Sequence, residues 1–312
     1  MSCIKPYLTY RKNGSRVFAP CGECALCRKK KALEYVFLSS CECFDRYKKG
    51  QSVTFSTLTY TDYAVPLTAE GKITARRKDF QDYMKRFRIM RQRDGLENDF
   101  KLIWSSEYGD KFGRSHFHCI YYGLNVNEVD HYSWKAWNND KLHPRGMIDI
   151  SSLENAGAYY LTEYCANTPT RAAMKVLYDD NGLERPCCRR SINLGSDTLK
   201  SLVDDSIASG EDFTTDFFGR ETPFPSYIRR KYDPDCKLFN YKKWYKKHIE
   251  NLKTIHQTDE QFTWIQNHLA VAQARMNDSP CYDNSDSRSV LPPTPPIDID
   301  GLALDCIDPI PF

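Results

Sequence analysis

Apolar positions in this chain recur with two different periods, and the switch between them outlines the elements. Phe80, Tyr83, Met84, Phe87 and Met90 fall at helical spacing, which predicts an amphipathic helix over Ala75–Arg93 that Gly95 ends. An earlier helix is predicted over Ala25–Cys43, beginning basic at Arg28 to Lys31. Residues 51–60, QSVTFSTLTY, are rich in β-branched and aromatic types and predict a strand. Phe100–Tyr108 and His116–Tyr122 predict two strands of a hairpin about a Gly-containing loop. An aromatic-rich loop, HYSWKAW, then leads to a short strand at Gly146–Ile150. Ser151–Asn167 reads as a helix, because Ser151 and Glu154 have capping-box spacing and Pro169 marks its far end. Residues 170–235 are mixed, and Tyr241–Ala274 reads as helical.

This order predicts an α+β fold built on an antiparallel sheet with flanking helices, the helices packed on one face. Four parts follow: a Cys-rich segment over 1–50, a core over 51–195, a mostly helical extension over 196–276 and a disordered acidic tail over 277–312. The tail is rich in Pro, Asp and Ser, as in LPPTPPIDIDG, and cannot bury enough apolar surface to fold.

Charge sharpens the division. The net charge of +3 conceals −7 from residue 255 onward and +10 before it. A basic body points to a polyanionic partner, although a basic soluble protein has the same signature. The 13 cysteines are odd in number. The start, MSCIKPYLTY, has no apolar stretch of the secretory kind, and no run nears the roughly 18 apolar residues of a membrane span. A reducing cytoplasm is the expected setting, with cysteines as thiols or metal ligands.

The chemistry concentrates in three places. His116 and His118, at i and i+2 on a strand, point to one face while Phe117 turns to the other. A hairpin symmetric about its loop puts Glu107 directly opposite His116, about 5 Å away. Two imidazoles and a carboxylate form a three-ligand cradle suited to Mn²⁺ or Mg²⁺ in phosphate chemistry; a solvated hairpin would carry the same residues. Tyr160 and Tyr164 lie four apart and share a helix face. Such a pair packs a core, or it supplies phenolic nucleophiles that need assistance at neutral pH. Cys21, Cys24 and Cys27, with Cys3 as a fourth, have spacing that allows a structural Zn²⁺, with Cys41 and Cys43 as competing ligands. The arginine-rich helix face and the run Arg229, Arg230, Lys231 are candidates for phosphate-backbone contacts in DNA binding. No Gly-rich phosphate loop of the Walker type is present, so a built-in helicase is not expected.

Here the chain resembles a family. HFH on a strand followed by YxxxY on a helix is similar to the HUH endonuclease superfamily. More closely, the chain resembles the replication initiation proteins of microviruses of gokushovirus type. The matching stretches are Pro20-Cys21-Gly22 through Cys24 and Cys27-Arg28, FSTLTY, YMKRFR, EYGDKFGRSHFH, YYLTEY, RRSINLGSD and PSYIRRKY, in that order. The resemblance implies an HUH-like fold, a divalent ion on His116 and His118 with Glu107 as the acidic ligand, and Tyr160 and Tyr164 as the residues that link covalently to DNA. It implies a rolling-circle initiator that nicks and rejoins single-stranded phage origin DNA in the cytoplasm of a bacterial host, working with the host replication polymerase and helicase and with no membrane. The family often carries Lys just before the second Tyr and three residues after it, where this sequence has Glu163 and Asn167.

Rival readings make different use of the same residues. A non-catalytic, zinc-stabilised single-stranded nucleic-acid-binding protein explains the cysteines and the basic body. It leaves the His–Glu–Tyr set without a purpose. A cupin-type oxygenase also uses HxH with a carboxylate, but its acidic ligand usually follows the HxH. A transposase or relaxase shares the chemistry and lacks this motif order.

Overall fold

The computed structural model describes residues 3, 7–10, 14, 16–109, 113–138, 142–153, 171–209, 213–215, 221–224, 228, 231 and 232. Strands β1 (Tyr7–Tyr10) and β2 (Arg16–Ala19) form a small ribbon ahead of helix α1 (Ala25–Lys48). Next come β3 (Val53–Tyr60), α2 (Arg77–Arg93), β4 (Lys101–Tyr108), β5 (Ser115–Tyr122), α3 (Val126–Trp137) and β6 (Gly146–Ser152). A short helix at Arg171–Leu177, β7 (Cys187–Arg190) and a helix at Ser196–Ser209 follow, then a two-stranded pair at Phe213–Thr215 and Glu221–Pro223. The main sheet is antiparallel in the order β6-β3-β5-β4-β7, which puts β5 at its centre.

A central strand is covered on both faces, and β5 has the composition this demands. Phe117, Cys119 and Tyr121 turn to one face, where they meet Leu58, Tyr60 and Leu102 of the sheet, Phe80, Tyr83 and Phe87 of α2, and Val129 and Trp137 of α3. This core is dense in aromatics, and its hydroxyls are paired: Tyr83 Oη lies 2.6 Å from Tyr121 Oη and 2.8 Å from Ser133 Oγ. On the opposite face Ile120 and Tyr122 join Val53 and Ile103, and α1 covers them with Phe37, Leu38 and Cys41. Leu199 and Val203 of the Ser196–Ser209 helix complete that second core. Helices therefore pack on both faces rather than one. The physical reason is that the face bearing His116 and His118 turns apolar farther along β5.

Two polar devices fasten the second layer. Glu42, 1% exposed, accepts from Arg46 Nε at 2.7 Å, Lys101 Nζ at 2.8 Å and Gly195 N–H at 2.6 Å. Asp45 caps the Ser196–Ser209 helix from outside, accepting from the N–H groups of Asp197 and Thr198 at 3.2 and 2.8 Å. Gly195, with φ +68°, is where this helix meets α1 most closely: a Cβ there would stand 2.5 Å from Cys41 Cβ.

Several expectations need correction. HYSWKAW is helical, part of α3, whose N-cap Asn125 and Glu128 make a capping box. Trp137 is core while Trp134 stays 54% exposed. Helix α1 runs on past Cys43 to Lys48 because Arg46 bonds Glu42 one turn back. Ser151 does not begin a helix: it sits in β6, opposite Phe55 of β3. Residues 154–170, with the remainder of the expected Ser151–Asn167 helix, lie outside the described residues, as do the Tyr241–Ala274 helix and the tail. Among the described residues no helix is long and apolar enough to cross a membrane.

Phe117 is fully buried between the two metal-candidate histidines and touches both Tyr60 and Trp137 ring to ring. Phe117→Ala is expected to cost about 3–5 kcal/mol, and Phe117→Leu clearly less, measured by urea denaturation.

Candidate metal centre

The β4–β5 register puts Glu107 opposite His116 and Ser105 opposite His118. Cross-strand partners share a face, so all four side chains rise from the same side of the sheet. This is the pairing that the hairpin symmetry predicts. Gly109 and Gly113 close the hairpin: Gly109 N–H donates to the Arg114 carbonyl at 2.9 Å, and Gly113 N–H to the Gly109 carbonyl at 2.8 Å. Gly113, with φ +62°, takes the left-handed conformation that such a turn needs.

The ligand atoms converge. His118 Nε2 lies 2.7 Å from Glu107 Oε1, and His116 Nε2 makes a short contact with the same oxygen. The two rings stand edge to face, 4.8 Å between centroids. Each ring is held by its other nitrogen. His116 Nδ1 is 3.2 Å from the Arg114 carbonyl, and His118 Nδ1 is 3.1 Å from Thr57 Oγ1. Phe55 stacks on the His118 ring at 5.7 Å. His118 is buried, whereas the His116 and Glu107 side chains keep 18% and 16% exposure, so the site opens on their side.

This arrangement fits a cation for a simple reason. A carbonyl only accepts, so His116 Nδ1 carries the hydrogen and Nε2 of the neutral ring presents a lone pair. That lone pair faces a carboxylate oxygen. Acceptor against acceptor is repulsive unless a proton or a metal ion lies between them. Outer hydrogen bonds that fix the tautomer are also the usual support of metal-binding histidines. Burial pushes the Glu107 carboxyl up, but the hydrogen bonds from His116 and His118 outweigh it and hold its pKa below the ordinary value. Ser105 Oγ, buried beside His118 in the register, has no hydrogen-bond partner among the described residues. It is a spare polar group for an oxygen bound at the site. Two imidazoles and one carboxylate with open positions match Mn²⁺ or Mg²⁺ as well as other divalent ions.

The remaining candidates fall elsewhere. Cys3, Cys21, Cys24 and Cys27 gather into a second cluster, their sulfurs within 4.8 Å of one another. Cys41 and Cys43 are not in it. Tyr160, Tyr164, Arg229 and Arg230 lie outside the described residues. Lys231 is exposed and donates to Asn193 Oδ1 at 2.9 Å. Much of the arginine content of α2 is structural: Arg91 reaches Glu128 and the Glu97 carbonyl, Arg86 the Ala136 carbonyl and Arg77 Glu184. Only Lys78, Lys85, Arg88 and Arg93 of α2 are exposed cations, and α2 packs on the face away from the histidines. Sequence reasoning missed Thr57 and Ser105. The signal was the alternation of FSTLTY, which puts Thr57 on the histidine face once β3 and β5 are paired.

Residues 53–169 match the family described as replication-associated protein ORF2. The match begins at the first residue of β3 and takes in the whole Glu107–His116–His118 constellation and positions 160 and 164. The chain is also similar to the replication-associated protein ORF2 of Spiroplasma virus 4, with 25% identity over 153 residues. That alignment spans 46% of this chain and 47% of the relative, so it covers about half the length of each. No solved structure matches the chain.

Thr57→Val keeps the side-chain volume and removes the hydroxyl that holds His118. It is expected to weaken Mn²⁺ binding about 10–100-fold with little change in fold, measured by calorimetric titration with circular dichroism as control. Glu107→Gln is expected to weaken it further, since a ligand itself is lost.

Proposed function

We propose that this chain is a replication initiator of the rolling-circle kind, a metal-dependent endonuclease and strand transferase that acts on single-stranded DNA. The observation that carries the reading is the convergence of His116 Nε2 and His118 Nε2 on one oxygen of Glu107. The replication-associated description of both the matched family and the Spiroplasma virus 4 relative supports a role in phage replication.

A divalent cation held by His116, His118 and Glu107 would polarise a scissile phosphate oxygen and offset the charge that develops there. The chain's own residues do the rest. Arg114 and Thr57 orient the imidazoles so that both lone pairs meet at one point. His118 is buried under Phe55, and the site opens beside His116 and Glu107, where a single strand can approach from solvent. Paired DNA would hold its phosphates away from a flat sheet face, so a single-stranded or extruded substrate is expected.

Tyr160 and Tyr164 are the proposed nucleophiles, on the strength of their YxxxY spacing and of the resemblance to HUH initiators. One phenolic oxygen attacks phosphorus in line and loses its proton to solvent. The bond from phosphorus to the 3′-oxygen breaks, and that oxygen takes up a proton. The products are a 5′-phosphotyrosyl link and a free 3′-hydroxyl able to prime a host polymerase. The link keeps the phosphodiester energy, so no nucleotide triphosphate is consumed. The second tyrosine of the pair can cut the regenerated origin, and the released 3′-hydroxyl then attacks the first link to close the circle. Glu163 stands where a lysine is common in the family, which leaves the metal and Arg114 as the positive groups for the phosphate.

The purified chain is expected to form a covalent adduct with labelled single-stranded origin DNA in Mn²⁺ and none in EDTA, read on a denaturing gel. The adduct should disappear in His116→Ala and in the Tyr160→Phe, Tyr164→Phe double variant, while either single tyrosine variant retains some. Undiminished binding of single strands with no adduct on any origin-containing DNA would favour the non-catalytic binding protein instead.

A further inference from the structure

The four-cysteine cluster lies outside residues 53–169, the span of the family match, and has no part in the nicking chemistry. Its members come from three places. Cys3 precedes β1, Cys21 follows β2, Cys24 is the N-cap of α1, and Cys27 lies in the first turn of that helix. Sulfur separations are 3.4 Å for Cys3–Cys21, 3.9 Å for Cys3–Cys24 and 4.0 Å for Cys21–Cys27. A tetrahedral ion with zinc–sulfur bonds of about 2.3 Å requires its thiolates about 3.8 Å apart. Disulfides need about 2.05 Å, and all four residues are free.

The backbone is shaped for thiolates rather than thiols. Gly22, with φ +77°, turns the chain back so that the N–H groups of Glu23 and Cys24 donate to Cys21 Sγ at 3.4 and 3.3 Å. Cys21 N–H donates to Cys3 Sγ at 3.2 Å. Such N–H donors stabilise negative sulfur. The start of α1 does the same: Cys24 makes no side-chain cap hydrogen bond, the first turn holds no acid, and the helix dipole favours anions there. Cys3 is buried although it stands at the chain's beginning, so something must hold it in place.

We propose that Cys3, Cys21, Cys24 and Cys27 bind one Zn²⁺ as a structural clasp that joins both ends of the β1–β2 ribbon to the first turn of α1. The need for a clasp follows from the ribbon itself. Each strand has four residues, and Tyr7, Leu8 and Tyr10 are 55%, 48% and 63% exposed. A two-stranded ribbon with so little buried apolar surface is marginal alone. One ion tying its two ends replaces the core that it lacks. The clasp also extends order to α1, whose Phe37 and Leu38 cover the second core.

The test uses the full chain, isolated under reducing conditions and dialysed against mild chelator, with zinc measured by mass spectrometry. The expected result is one zinc per chain in the native protein and in the His116→Ala, His118→Ala double variant, and loss of that zinc in Cys24→Ser. The histidine variant separates this site from the proposed nuclease centre, so either can fail without the other. Cobalt added to the stripped native chain should give a thiolate-to-metal charge-transfer band and tetrahedral visible absorption. Cys27→His, which keeps four ligands, should retain the ion with a weaker band. Should Cys24→Ser fail to fold, the cobalt spectrum of the native chain decides. A spectrum without thiolate bands, a Cys24→Ser protein that keeps its zinc, or four thiols missing from a count on the denatured chain under non-reducing conditions would each overturn the proposal.

Discussion

The pairing of β4 with β5 is the constraint on which the candidate site depends. Side chains alternate faces along a strand, so a slip of one residue would turn His116 and His118 toward α2 and α3 and push Phe117 out. The fold opposes that slip from several sides. Phe117 is locked among Tyr60, Phe80 and Trp137, Tyr121 bonds to Tyr83, and Ile120 and Tyr122 are covered by α1. The cores on the two faces thus set the register, and the register brings three ligand atoms to one point. A metal site on a strand at the centre of a five-stranded sheet inherits the rigidity of the packing beneath it.

Electrostatics explains why the site lies where the apolar coverage ends. A carboxylate sealed under α1 would meet a large desolvation cost without a partner. At the open end of β5 the cost is smaller, and the two imidazoles compensate what remains. The same face therefore serves two purposes along its length, with helices packed over Ile120 and Tyr122 and ligands presented at His116 and His118. Glu42 is the contrasting case. It is buried under the second layer, and it is tolerated there because Arg46, Lys101 and the Gly195 N–H group satisfy it.

Local patterns made much of this readable in the sequence. The hairpin and the helix of α2 were legible because alternation and helical spacing are properties of neighbouring residues. Glu107 opposite His116 was legible because a short loop leaves one symmetric register. What escaped depended on distant pairing. Thr57 supports His118 only because β3 lies next to β5 across 61 residues of sequence, and no local pattern records that. The second helical layer escaped for the same reason, since the Ser196–Ser209 helix meets α1 through Asp45 and Gly195. Helix α3 could have been found: Asn125 and Glu128 carry capping-box spacing, and Val129, Tyr132, Ala136 and Trp137 recur at helical intervals. The aromatic content of HYSWKAW concealed it. The Ser151–Glu154 pair had the same spacing without forming a cap, because Ser151 is claimed by the ladder with β3. Spacing alone does not decide between a cap and a strand end.

The two clusters differ in the softness of their ligands, and that difference keeps their roles apart. Four thiolates select a soft or borderline ion and leave it no open position, which suits a clasp. Two imidazoles and a carboxylate accept harder ions and leave positions free, which suits a phosphate oxygen. By intrinsic affinity the imidazole site would also prefer zinc to manganese or magnesium. Its occupant is then decided by availability, and a cluster that takes zinc with four sulfurs does not compete for the ions that phosphate chemistry needs. Ligand type, set by which residues each backbone segment brings together, can thus separate a structural metal from a catalytic one within a single chain.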